Sequence, residues 1–185
     1  TLTSYDVATH YSYDIAGNVK TLVDDIKSLN SYKERYKRID YEYDLVSGNV
    51  NRVNYQADSA DQFFYRYSYD ADNRITEALT SRDGYIWDRD ANYFYYDHGP
   101  LARTEIGERQ VQGMDYAYSI QGWLKGINEL HLLETHDMGQ DGVSGAMQHK
   151  RLPKDIFGMT LNYFAGDYSQ VTKQFKWEPA YATSS

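Results

Sequence analysis

The chain contains no cysteine, which excludes a disulfide-stapled scaffold and any thiolate-ligated zinc site. No apolar run approaches the roughly 20 residues that a membrane-spanning helix needs, so the reading is of a chain that does not span a membrane. No secretory leader opens it, and it starts at Thr1 rather than Met, which suggests a mature or excised piece of a longer protein. Aliphatic residues are scarce: Leu, Ile, Val and Phe make up 36 of 185 residues. That is too few for a leucine-rich helical bundle, and with a net charge of −8 it falls in the compositional range of disorder. Basic residues are in deficit as well, with 19 Lys and Arg against 27 Asp and Glu. Phosphate-backbone binding needs clustered cations, so no nucleic-acid partner is expected.

What is abundant overrides the signal for disorder. The chain has 20 Tyr and 3 Trp, and disordered segments are poor in aromatics. A core built on Tyr must also satisfy its hydroxyls. Asp, Asn and Gly are plentiful, and these are turn formers. Many turns and many aromatics predict an all-β chain.

The sequence repeats itself. One copy is Tyr11-Ser-Tyr13-Asp14-Ile-Ala-Gly17-Asn18-Val19, and a second is Tyr41-Glu-Tyr43-Asp44 with Gly48 and Val50. A third is Tyr67-Ser-Tyr69-Asp70 with Asn73 and Ile75; a shortened fourth is Phe94-Tyr-Tyr96-Asp97 with Gly99 and Leu101. A fifth is Tyr116-Ala-Tyr118-Ser119 with Gly122, Trp123 and Leu124. Spacings in the range of 20 to about 50 residues mark a repeat architecture. Before each turn the pattern has period two. Ile39, Tyr41 and Tyr43 alternate with Arg38, Asp40, Glu42 and Asp44, and Phe63, Tyr65, Tyr67 and Tyr69 alternate with Phe64, Arg66, Ser68 and Asp70. This predicts a strand with one aromatic and one polar face. Asp at the first and Gly at the fourth turn position fit a type I turn, often completed by a Gly bulge. Each unit is therefore a β-hairpin, with turns at Asp14–Gly17, Asp44–Gly48, Asp70–Asn73, Asp97–Gly99 and Ser119–Gly122. Recurrence in every unit favours a structural role for the Tyr pairs, each stabilising the sheet by ~0.2–1 kcal/mol. The alternative is a sugar-stacking surface.

Tyr-x-Tyr-Asp-x-x-Gly followed by Asn or Arg and an aliphatic residue resembles the YD repeat of Rhs proteins. The segments Arg35–Gly48, Tyr118–Asn128 and Asp155–Tyr168 resemble a bacterial Rhs core. The resemblance implies a long β-ribbon of repeated antiparallel hairpins that spirals into a hollow, cocoon-like shell. In bacteria such shells commonly enclose a toxin domain that follows in the chain, and in animals similar shells belong to adhesion proteins. The family is exported or displayed at the cell surface. The implied partners are the remainder of the chain or an enclosed toxin domain, export machinery, or surface glycans. This chain is too short to close a shell. It also lacks the Pro-rich core terminus and a toxin region, so no cleavage residue or toxin activity carries over.

The remainder divides the chain into hairpins over 1–128, an irregular inserted loop over 129–154, and core-like strands with a tail over 155–185. Residues 20–36 are expected to form a polar connection with a helical turn or paired charged strands. Gln56–Asp61 and Ser81-Arg82-Asp83-Gly84 read as turns, the latter because Asp-Gly is a strong hairpin signal. Within the insert, Asp137-Met-Gly139-Gln-Asp141-Gly142 has part of a calcium-loop pattern, but its third position is Gly139 and its twelfth is Gln148 rather than Glu. His131, His136 and His149 have no helical ligand spacing. No metal or cofactor is expected. No nucleophile elbow or phosphate loop occurs, so no catalytic residue is assigned and the chain is not expected to be an enzyme. A final alternating strand, Met159 to Tyr163, precedes a turn at Gly166-Asp167 and a strand at Phe175 and Trp177.

Overall fold

A computed structural model of the chain describes residues 5–128, 132–133, 136–143, 149 and 151–163. Eleven strands form one open antiparallel sheet in consecutive order. They are β1 (Val7–Tyr13), β2 (Val19–Ile26), β3 (Tyr36–Tyr43), β4 (Val50–Tyr55), β5 (Phe63–Tyr69), β6 (Ile75–Ser81), β7 (Asp88–Tyr95), β8 (Leu101–Ile106), β9 (Gln112–Tyr118), β10 (Leu124–Ile127) and β11 (Met159–Thr160). The single helical element among the described residues is a 3-10 turn, Lys27–Tyr32. The expected all-β ribbon of hairpins is what the chain forms. None of the described helices is long and apolar enough to cross a membrane.

The alternation resolves the sheet into two faces. Tyr11, Ile39, Tyr41, Val53, Tyr65, Tyr67, Tyr93 and Tyr116 share one face, and Asp40, Arg52, Phe64, Arg66, Glu105 and Asp115 share the other. The sheet is a single layer, and the buried apolar side chains among the described residues are only Phe64, Leu79, Ala91 and Leu152. Buried polar residues outnumber them, led by Asp25, Arg103, Glu105, Asp115 and Asp141. The stretch 20–36 resolves into β2 and the 3-10 turn. Asp25 anchors it, accepting from Arg35 at 2.6 and 2.9 Å and from the Tyr5 hydroxyl at 2.6 Å. The Arg35 guanidinium holds the Asp25 carboxyl well below the usual carboxylate range.

The hairpin joining β6 and β7 departs from the tight Asp-Gly turn expected at Ser81–Gly84. The connection runs from Arg82 to Trp87. The Asp83 carboxylate accepts from the backbone of Tyr85 and Ile86, each at 2.8 Å, and Ser81 Oγ donates to the Ile86 carbonyl at 2.5 Å. These side-chain bonds organise a wider loop, which explains why the dipeptide signal misleads there. The expected turn at Gly166 and the strand at Phe175 and Trp177 lie outside the described residues.

Gly17 and Gly48 have φ of 90° and 75°, the region where a side chain is strained. A Cβ at either position would meet nothing within 4 Å, so the cost of substitution is one of backbone conformation alone. Asn73, φ 62°, occupies the equivalent place in the third hairpin. Gly17→Val is expected to lower stability by about 1 kcal/mol or more. Gly17→Asn is expected to cost distinctly less, because Asn tolerates this region. Thermal melts that rank the two variants equally would contradict the turn assignment.

Candidate functional site

The repeated aromatic wall is held by a hydroxyl bond between successive hairpins. In each of the first four hairpins the second strand carries one extra residue: Lys20, Asn51, Thr76 and Ala102 lie opposite the register shifts that precede Tyr13, Tyr43, Tyr69 and Tyr95. Such a bulge interrupts the ladder and bends the strand. The residue before the bulge then receives a hydroxyl from the next hairpin. Tyr43 donates to the Val19 carbonyl at 2.9 Å, Tyr69 to Val50 at 2.7 Å and Tyr95 to Ile75 at 2.7 Å. Tyr163 donates to Leu124 at 2.8 Å in the same way. Burial pushes the pKa of Tyr43, Tyr69 and Tyr95 up, which keeps these hydroxyls protonated as donors.

The residue after the staple tyrosine shapes the turn. Asp14 Oδ1 accepts from the backbone N–H of Ala16 and Asn18 at 2.9 Å each, and Asp44 Oδ1 from Val46 and Ser47 at 3.0 and 2.7 Å. Asp70 Oδ1 accepts from Asp72 and Arg74, both at 2.9 Å. These Asx turns replace backbone ladder bonds that the loop cannot make. In the fifth hairpin Ser119 Oγ accepts from Trp123 at 3.2 Å, a weaker form of the same cap. Trp123 itself packs against Tyr163 with ring centroids 5.1 Å apart. Gly122 has φ of 82°.

The fourth copy is framed one residue earlier than the sequence pattern suggested. Tyr95 pairs with Leu101 as Tyr69 pairs with Ile75. The backbone bonds Tyr96 N to Pro100 O and Gly99 N to Tyr96 O match those of Asp70 to Arg74 and Asn73 to Asp70. Phe94 and Tyr96 are therefore not a wall pair. Phe94 lies on the polar face, Tyr96 occupies the turn-capping place, and Asp97 is one position into the turn and exposed. Tyr93 and Tyr95 take the wall positions. A slip of one residue reverses the face of every side chain, and the run of four aromatics, Tyr93 to Tyr96, let the pattern match in either frame. Tyr96 instead donates its hydroxyl to the Tyr116 carbonyl at 2.8 Å and packs edge-on against Tyr118. Tyr11 stacks on Tyr13 and Tyr41 packs against Tyr43 at 6.5 and 6.4 Å, and Tyr67 lies between Tyr65 and Tyr69 on the same face.

A second constellation joins the insert to the sheet. Arg103 on β8 bonds Glu105 at 3.2 Å, Asp115 on β9 at 2.5 Å and Asp141 of the insert at 2.6 Å. Glu105 also faces His149 Nδ1 at 3.0 Å and accepts from Gln110 at 2.7 Å. Asp137, the first position of the partial calcium pattern, accepts the backbone N–H of Gly139 and Asp141 at 3.0 and 2.7 Å. Gly113 and Gly139 press against Arg103, and a Cβ on either would collide with this cluster. Burial raises the pKa of Asp115 and Asp141 despite Arg103. Burial and the neighbouring charges of Asp137, Asp141 and Asp115 push Asp155 up to about 7. The sequence pattern singled out Asp137 and Asp141 but gave no cue to their partner, because Arg103 and Asp141 are 38 positions apart and adjacent only through folding. His131 lies outside the described residues. Among the described residues, no group of three His, Asp or Glu is arranged to hold a metal ion.

No family model and no curated protein matches the chain. Solved structures do. A chain of the TcdB2–TccC3–Cdc42 crystal structure superposes with a TM-score of 0.51 and 16% identity, over 65% of this chain and 6% of that one. A chain of the Photorhabdus luminescens Tc holotoxin pore structure carrying TccC3 D651A gives 0.44 and 14% identity, over 66% of this chain and 9% of that one. The first likeness establishes a shared fold, and this chain spans only a small part of the matched protein's length.

Two measurements test these contacts. Tyr69→Phe removes one staple, and a stability loss of about 0.5–1.5 kcal/mol is expected. The raised Tyr69 pKa marks stability that is present below the ordinary value of about 10 and is lost as pH rises through the shifted one, so the stability deficit of Tyr69→Phe should shrink as pH rises above about 10; a deficit that does not change with pH would refute the staple. For the insert, Arg103→Met leaves buried carboxylates uncompensated, at a cost of about 3–5 kcal/mol. Asp155, raised in the folded chain, favours docking at acid pH and loses that contribution as pH rises towards about 7. Proteolysis within 132–158 should accelerate from acid to mildly alkaline pH, and Asp155→Asn should flatten the trend.

Proposed function

We propose that the chain is a non-catalytic wall segment of an exported Rhs-type shell that encloses or presents a cargo, either a toxin or an adhesin, outside the cell. The observation that carries this reading is the staple series of Tyr43, Tyr69, Tyr95 and Tyr163, which ties the second, third and fourth hairpins and the strand after the insert each to the hairpin before it and needs no second layer. Consecutive strand order supports it, as does the fold-level likeness to a small part of a much longer chain. The action is mechanical: a hydrogen-bonded ribbon separates what lies on one face from what lies on the other. The partners under this reading are the rest of the polypeptide and the enclosed cargo.

The glycan-stacking alternative is less well supported. Tyr41 and Tyr43 pack on each other, and the hydroxyls of Tyr43, Tyr69 and Tyr95 are committed to backbone carbonyls. Binding on a glycan array that is lost on Tyr41→Ala without loss of fold would restore it.

A wall segment alone has raw sheet edges and an uncovered aromatic face, and both recruit other chains. Tyr11 and Tyr13 on the edge strand are exposed, as are Ile15, Leu45, Val46 and Ile120 at the turn tips. Residues 1–185 expressed alone are expected to be oligomeric or only partly protected from hydrogen exchange, and to become soluble when more of the parent chain is attached. Light scattering that finds a monodisperse monomer with amides protected throughout would overturn the wall reading.

A further inference from the structure

Five arginines lie within strands: Arg38, Arg52, Arg66, Arg89 and Arg103. Arg38 pairs with Asp40, Arg89 with Glu77, and Arg103 with its carboxylate cluster. Among the described residues, Arg52 and Arg66 have neither an ion pair nor a side-chain hydrogen bond. They stand directly opposite each other on β4 and β5, where like charges repel. In a chain of net charge −8 this pairing is not forced by a lack of acids.

The flanking strands do not neutralise the pair. Arg52 faces Glu42 on β3, but Glu42 accepts from Asn54 Nδ2 at 2.8 Å. Arg66 faces Leu79 on β6. Aromatic rings hold the two cations instead. Trp87 lies with its ring centroid 4.5 Å from the Arg66 guanidinium and 5.5 Å from that of Arg52, and Phe64 lies 5.2 Å from Arg52. Such contacts orient a guanidinium and leave its in-plane N–H groups uncommitted. The Nε of Arg52 is enclosed with no acceptor, a costly condition for a buried donor. Trp87 belongs to the loop that Ser81 and Asp83 organise, and that loop presents exposed Tyr85 and Ile86 beside it.

We propose that Arg52 and Arg66, oriented by Trp87, form a receptor for a tetrahedral oxyanion: the phosphate or sulfate group of an ester ligand. A doubly charged oxyanion balances two guanidiniums, and its oxygens match their forked donors. The exposed Tyr85 and Ile86 lie where the carbon skeleton of the ester would rest.

The test titrates the full chain with inorganic phosphate, sulfate and acetate at constant ionic strength, with chloride as the balancing ion and tryptophan emission and thermal midpoint as readouts. Saturable binding of phosphate or sulfate, tighter than acetate, is expected, and the tighter of the two identifies the class of ester. Arg66→Gln should weaken it by about tenfold or more, as the loss of a charge-assisted bond implies. Arg66 is exposed, so its replacement leaves the sheet intact. Arg66→Lys keeps the charge without the fork and should fall between the two. A non-saturating response, acetate binding as tight as both tetrahedral anions, or unchanged affinity in both variants would overturn the proposal.

Discussion

The structure depends on the bond from a tyrosine hydroxyl to a backbone carbonyl just before a strand bulge. The bulge removes a regular ladder position, and the hydroxyl supplies a donor there. At the first three bulges the donor comes from the following hairpin, so the second, third and fourth units each complete their predecessor. In the first three hairpins the Asp after the wall tyrosine caps the turn that leads into the bulged strand. Ring packing, turn capping and strand register therefore act as one device repeated along the ribbon. Each bond contributes only about 0.5–1.5 kcal/mol, and the ribbon gains its stability as a sum over neighbours, as linear repeat proteins do.

This device explains how a chain with so few aliphatic residues stays ordered. A one-layer sheet cannot bury a large apolar core, and four apolar side chains are buried among the described residues. Polar contacts that run across strands take over much of the work. The Asp25–Arg35–Tyr5 group holds the first connection, and the Arg103 cluster clasps the insert onto the polar face. A clasp of this kind is weak evidence of net stability, because desolvation offsets much of the attraction. Its stronger effect is on position: Asp141 reaches the sheet only where Gly113 and Gly139 leave room for the Arg103 guanidinium.

Charge placement separates the two ends of the polar face. Near β8 and β9 one arginine meets three carboxylates, whereas on β4 and β5 two arginines meet aromatic rings. In the first arrangement the guanidinium is enclosed and its donors are committed to carboxylates. The second keeps uncommitted donors at the surface, and that difference makes it a receptor rather than a strut.

The sequence by itself determined the all-β class, the hairpin unit, the aromatic and polar faces, and the turn positions of Gly17, Gly48 and Gly122. All of these follow from residues within a few positions of one another: alternation sets the face, Asp caps its own turn, and Gly takes positive φ at the lowest cost. Only the tertiary structure decided the frame of the fourth copy, because four consecutive aromatics satisfy the alternation in two ways and cross-strand pairing chooses between them. It also decided that Tyr163 continues the staple series across the insert, that Asp141 answers Arg103, and that Arg52 confronts Arg66. Those relations join residues of different hairpins or of the insert, and they are set by how separate hairpins pair and where the insert docks, which the pattern within one hairpin does not specify.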